Sequence, residues 1–257
     1  MNRADFFTSL RRRESGVFGT SLTQGQVDGT EALLDAANGL PLHHVANILA
    51  QCYHETGGRM VPVRETFATS DAQAIARLDR EWAKPGHGAL RHVRAPYWRP
   101  DADGNAWFGR GHIQLTHKDN YLKFGIANPE DAMRMDVSAR VAVEGMRDGK
   151  FRARNKLADY DFPGDLDNPP ATNPRRIVNG NDGTDAKVAG YHRAFAAALE
   201  AAGYREAPQR PVARPVQPRE VYPASRPIPV QDAVPAPAPR APAGVLARLL
   251  SLFKGDA

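Results

Sequence analysis

One cysteine in 257 residues, Cys52, excludes an intrachain disulfide and a cysteine-rich zinc site. No stretch approaches the roughly 18 consecutive apolar residues of a membrane span. The N-terminus, MNRADFFTSLRRRESG, lacks the apolar run of a secretion signal, so synthesis in a cytoplasm without a signal peptide is expected. Alternating strand patterns are scarce, which argues for a mostly α protein. Basic excess is also missing from most of the chain. The net charge is +5, yet seven Arg or Lys against three Asp or Glu put +4 of it at or beyond Pro208. That distribution predicts no nucleic-acid-binding domain. The basic tail suits an anionic surface, such as a membrane or an acidic wall polymer.

Proline is sparse at first and then abundant: eleven of the 21 fall between Pro208 and Pro242. Such a segment favours extended polyproline conformations and cannot bury a core. The chain therefore divides into a folded domain at 1–206, a Pro/Ala-rich linker at 207–243 and a short amphipathic segment at 244–257. In the last, a helical wheel gathers Val245, Leu246, Leu249, Leu250, Leu252 and Phe253 on one face, with Arg248, Ser251 and Lys254 opposite. Three readings stay open for it: an interfacial membrane helix, a helix docked on the folded domain, or disorder.

Within 1–206 the periodicity predicts helices over Thr23–Gly39 and Pro41–Gly58, the second with Val45, Ile48, Leu49, Cys52 and Tyr53 at helical spacing. Pro41 suits its first turn, and Gly57 and Gly58 end it. Further helices are predicted over Asp71–Trp82, Lys118–Phe124, Ser138–Arg147 and Thr184–Ala202. Lys84–Gly109 and Asp159–Asp182, rich in Gly, Pro, Asn and Asp, read as long loops.

The chemistry centres on CYHETGGRMVPVRE, Cys52–Glu65. With Val45 at zero, the apolar arc runs from about 300° through zero to about 80°, and Glu55 falls at its border, near 280°. Glu55 also lies in the last turn, where the helix dipole is negative. Both effects raise a carboxyl pKa, as a general acid for glycosidic cleavage requires. Glu65, beside Arg64 and close to Pro62, is expected to be solvated, paired and ionised, which suits a general base. Two carboxylates with divergent surroundings are the signature of glycoside hydrolysis. The plainer alternative is two solvated surface glutamates. HETGG is not a zinc motif, since Gly58 stands where H-E-x-x-H needs a second histidine. His54 falls opposite the apolar arc and reads as a positioning residue, and no metal site is expected. DADGN, Asp101–Asn105, lacks the glycine and the closing glutamate at the places a calcium loop needs them and reads as a turn.

A second cluster is WFGRGHIQLTHKDNY, Trp107–Tyr121. Gly109 and Gly111 allow close backbone approach around Arg110. Gln114 and Thr116 alternate with Ile113 and Leu115, which predicts a short extended segment with a polar face. Asn120 and Tyr121 follow at a helix start. Amides, a hydroxyl and aromatic faces suit a sugar chain, and Tyr97, Trp98 and Trp107 are candidates to stack on pyranose rings. An ordinary hydrogen-bonded turn with buried aromatics is the alternative.

YHETGG followed by VRE, then FGRGHIQLTHKDNY, then RRIVNGNDG, together resemble the catalytic core of glycoside hydrolase family 19, which holds plant-type chitinases and lysozyme-like phage endolysins. The resemblance spans roughly Pro41 to Gly183. It implies a mainly α, lysozyme-like two-lobed helical domain with a substrate cleft and little β, no cofactor, and an inverting reaction. Glu55 then matches the general acid, Glu65 the general base, and Thr116 the residue that helps hold the attacking water. Gln114, Asn120 and Asn179 match substrate-binding positions. His54, Arg64, Trp107, Arg110 and Tyr121 complete the candidate binding set. Inversion implies carboxyl groups about 6.5–9.5 Å apart. The short segment between the glutamates and the lack of cysteines agree with the compact phage type. Loop shortening moves the Glu65 position most, so Glu81 or Asp79 would be the base if the motifs are misaligned.

The resemblance implies a peptidoglycan-degrading endolysin acting at the cell wall, with holin-type release as the expected route. A monomer is expected, and the tail's own pattern makes 244–257 a candidate for contact with an anionic membrane. The alternatives are a chitinase, a lytic transglycosylase needing one acidic residue, and a non-catalytic wall-binding or virion protein.

Overall fold

A computed structural model describes residues 1–152 and 155–206. The expected linker at 207–243 and the segment at 244–257 therefore lie outside the described residues. The fold is mainly helical, with 54% helix against 2% strand.

Helix α1 (Arg3–Leu10) starts where the Asn2 side chain accepts from the Ala4 and Asp5 amides. Helix α2 (Gln24–Ala36) opens on a reciprocal capping box between Thr23 and Gln26. Helix α3 (Leu42–Glu55) follows Pro41, which sits at the cap rather than in the first turn. Helix α4 (Asp71–Trp82) is capped by Ser70, and α5 (Lys118–Leu122) is a single short turn. Helix α6 (Met135–Asp148) ends on Gly149 at φ 67°, the left-handed cap that favours glycine. Helix α7 (Asp185–Ala201) closes the domain. The only sheet among the described residues pairs β1 (Val63–Arg64) antiparallel with β2 (Arg110–Gly111), placing Val63 opposite Gly111 and Arg64 opposite Arg110.

The large lobe is built around α3, which packs chiefly on α7, while α1 also packs on α7 and α2 packs on α6. Its core includes Phe6, Leu10, Ile48, Leu49, Met146, Phe195 and Leu199. Every residue from Val45 to Cys52 is buried, so α3 is covered on all sides and not along one stripe. The smaller lobe has its own core of Ala74, Leu78, Leu90, Trp98 and Phe108, from α4 and the long loop after it. A third cluster, including Trp107, Leu115, Tyr121, Phe124 and Val141, packs beneath β2.

One carbonyl ties α2 to the residues after β2 and, through them, to α6. At Gly29 on α2 a Cβ would lie 1.7 Å from the Met60 carbonyl oxygen, so only glycine lets the helix approach that close. The same carbonyl is 2.7 Å from Nε2 of fully buried His112, whose Nδ1 lies 2.8 Å from the Ser138 hydroxyl. Burial lowers the His112 pKa to about 4, so the ring is neutral and its Nε2–H donates to Met60.

Candidate active site

Glu55 is the last residue of α3. Beyond it the chain reverses through Gly57 and Gly58, both at positive φ, and their amides donate to the His54 and Tyr53 carbonyls. Two glycines thus end the helix where the sequence placed its end, and leave Glu55 in the final turn. It is 2% exposed.

Its cationic partner comes from 120 positions further along the chain. Nη2 of Arg175, from the 3-10 turn Pro174–Ile177, donates to Glu55 Oε1 at 2.6 Å. That nitrogen also donates to Asp182 at 2.8 Å, and Nη1 donates to Gln51 Oε1 at 2.6 Å. Two buried carboxylates therefore share one guanidinium. Burial pushes the Arg175 pKa down, but the two carboxylates outweigh it and hold it above its ordinary value. Burial also pushes Asp182 up, while Arg175 and the Thr184 hydroxyl and amide outweigh it and leave its pKa lowered. Asn179, read as a substrate-binding residue, donates to Asp182 at 3.1 Å and accepts from the Gly180 amide.

Glu65 differs from its expected setting. It is fully buried, not solvated. The Tyr97 hydroxyl donates to Oε1 at 2.6 Å and the Gly109 amide to Oε2 at 2.7 Å. Burial dominates and raises its pKa despite those two donors and Arg110. Arg64 does not pair with it, because neighbouring residues of an extended segment point to opposite faces. Arg64 reaches Asp71 at 2.7 Å and Glu130 at 2.5 Å instead. The residues after Glu65 hold unusual backbone: Thr66 and Phe67 have φ of 62° and 53°. The alternative carboxylates are already occupied. Glu81 pairs with Lys84 and the Ala89 amide, and Asp79 accepts from Trp98 and Arg99.

The second cluster is a folded brace, and several expectations need correction. Ile113, Gln114, Leu115 and Thr116 are all buried, so no polar face exists there. The alternation breaks because Gln114 takes φ 53°, and Arg110 and Leu115 close a tight turn through two backbone bonds. Gln114 donates to the Val63 carbonyl, Thr116 to the Gln114 carbonyl, and Asn120 to the Thr116 carbonyl. Arg110 is buried and pairs with Asp71 at 2.5 Å, with its guanidinium over the Phe108 ring. Tyr121 is fully buried and donates to the Phe108 carbonyl. Trp98 and Trp107 lie in the cores, each with its indole N–H on an aspartate, so neither offers a face for a pyranose. Tyr97 is half-buried, and His54 is half-buried near the Tyr191 ring. Asp101–Asn105 is a turn, with the Asp101 carboxylate accepting from the Asp103 and Asn105 amides.

No protein-family model matches the chain, and neither does any curated protein. It is similar to a crystal structure of a chitinase C mutant. The identity is 17% and the TM-score 0.40, over 81% of this chain and 95% of that one.

Of the expected site residues, the structure seats Glu55 and Asn179 around Arg175, and it seats Glu65, Arg64, Arg110, Gln114 and Thr116 around the β1–β2 pair. Arg175, Asp182 and Gln51 were missed as functional candidates. The first two stand inside RRIVNGNDG, and Gln51 lies four residues, one helical turn, before Glu55. Four-residue spacing on one helix was the available signal.

Proposed function

We propose that the chain is a glycoside hydrolase in which Glu55 is the general acid, acting on the glycan strand of peptidoglycan in the manner of an endolysin. One observation carries the reading: Glu55 and Asp182 share a single buried guanidinium. Two carboxylates that share one guanidinium compete for its charge, and burial favours a proton on one of them. Asp182 receives the Thr184 hydroxyl, the Thr184 amide, Asn179 and two Arg175 nitrogens, so it stays ionised. Glu55 is therefore the carboxyl proposed to deliver a proton to the leaving glycosidic oxygen.

Glu65 is the proposed base, and its raised pKa brings it nearer the range where a base takes a proton efficiently. Its cover must shift for a glycan or water to reach it. Tyr97, half-buried and bonded to Oε1, is the side chain placed to move. In Tyr97→Phe the carboxylate loses a donor, so its pKa rises further. A base works only when deprotonated, so the rising limb of the rate–pH profile is expected to move to higher pH. An unmoved limb removes Glu65 as the base.

A second reading has support in the same geometry. Both Glu65 oxygens already serve to anchor Tyr97 and Gly109, which suits a structural residue and leaves one catalytic acid, as in a lytic transglycosylase. Mass spectrometry of products from purified peptidoglycan separates the two. Reducing-end muramic acid, lost in both Glu55→Gln and Glu65→Gln, is the expected result. Anhydro-sugar ends with Glu65→Gln still active would establish the second reading, and release from chitin alone would move the substrate there. No products from either polymer would end the hydrolase reading.

The segment 244–257 is proposed to bind an anionic membrane, on its sequence pattern and basic charge. Deleting Val221–Ala257 is expected to weaken binding to anionic liposomes and lysis of intact cells severalfold, with hydrolysis of purified wall unchanged. Equal liposome binding by both forms would end that proposal.

A further inference from the structure

The α3 residues His43, Asn47, Gln51 and Glu55 recur every four positions and form a polar ladder beside α7 and the Pro174–Ile177 turn. Asn47, Gln51 and Glu55 are each 2% exposed or less. Chemistry fixes the direction of every link. Arginine only donates, so the Gln51 atom 2.6 Å from Arg175 is its carbonyl oxygen. The Gln51 amide nitrogen must then face the other way, and it donates to the Pro174 carbonyl at 3.3 Å and toward Asn47 Oδ1 at 3.5 Å. That turns the Asn47 nitrogen toward His192 Nδ1, also at 3.5 Å, which makes Nδ1 an acceptor. The remaining ring proton sits on Nε2 and donates to His43 Nδ1 at 3.1 Å. Each member donates to the next, from Arg175 outward to His43.

We propose that Gln51 is a positioning residue for the acid: its carbonyl, fixed by this one-way chain, sets the orientation of Arg175 and thereby the proton affinity of Glu55. The inference rests on the reading of Glu55 as general acid. The described groups facing Glu55 include Arg175 and Asp182 from the 174–184 segment and, on its own helix, Cys52, whose thiol burial keeps protonated. A neutral His192 is required by the chain, and burial with its neighbours His43, Arg193 and His44 lowers its pKa to about 3.

Two substitutions move Glu55 in opposite directions. Gln51→Glu places a third carboxylate on the same guanidinium, so Glu55 holds its proton to higher pH by roughly one unit. Gln51→Met removes the negative end of a dipole at constant bulk, so Glu55 releases its proton at lower pH. Carboxyl NMR titration, with the Glu55 signal assigned by its loss in Glu55→Gln, reads both shifts without any need for activity. In parallel, the falling limb of kcat against pH is expected to follow, upward for Glu and downward for Met, with KM little changed. If both variants lower Tm but leave the Glu55 midpoint where it was, Gln51 is only structural and the inference is overturned. If the midpoint moves while the wild type cleaves no glycan, the positioning holds and the hydrolase reading fails. Should Gln51→Glu not fold, the Met variant alone carries the test.

Discussion

Glu55→Gln is expected to lower hydrolysis of purified peptidoglycan by roughly a thousandfold, the contribution of a positioned general acid. The amide keeps the size of the carboxyl and still offers Arg175 an oxygen, so the 2.6 Å bond has a replacement acceptor. Removing one carboxylate from the trio leaves Arg175 with Asp182, a neutral buried pair. Tm is therefore expected to stay within a few degrees of wild type. Activity lost with stability kept marks a chemical role. A variant that keeps its activity refutes the acid assignment outright.

Arg175→Met should show the opposite pattern, with stability as the main casualty. It strands Glu55 and Asp182 together without their shared cation, and breaking a buried ion pair in this way costs roughly 3–5 kcal/mol. The pH dependence should also invert. In the wild type the Asp182 pKa is lowered by folding, so its stabilising contribution is present above the unfolded value, near 4, and is lost as pH falls through the folded pKa. Without the arginine, burial and the mutual repulsion of two carboxylates work against the Thr184 and Asn179 bonds that Asp182 keeps, and the pair is expected to hold a proton to higher pH in the folded state. The folded state then binds more protons than the unfolded one, and stability falls as pH rises above about 4. Urea unfolding at several pH values checks this. A variant whose stability still rises with pH would show that Arg175 is not what holds these carboxylates.

Local physics was readable in the sequence. The helix predicted over Asp71–Trp82 is α4 with the bounds observed, and Gly57 and Gly58 marked the end of α3. The N-terminal helix α1 went unseen, because its start rests on the Asn2 cap and its stability on packing against α7. Glu55 was legible because its place on the helix is a local property. Arg175 was not, standing 120 positions away on a 3-10 turn. The wheel also placed the side of α3 opposite Val45, with His54 on it, outside the apolar arc. The His43–Gln51 ladder lies on that side, but α7 and Arg175 cover it, so polar residues there are buried and bonded. A period describes one partner surface, and a central helix has several. The solvated, paired setting expected for Glu65 differs for a related reason: its neighbour Arg64 faces away, and its partners come from residues 97 and 109.

The Met60 carbonyl has a consequence for how this sequence can vary. Gly29 leaves it room, and His112 binds it. A side chain at position 29 would push that oxygen off the imidazole, whatever stood at 112. A different residue at 112 would likewise remove the reason for the carbonyl to sit so near α2. Positions 29 and 112 therefore form one unit of inheritance, joined through a backbone carbonyl that any residue at 60 supplies, and a change at one alters the effect of a change at the other. Their effects on stability will not add, and a variant library that samples them singly will undervalue the combinations.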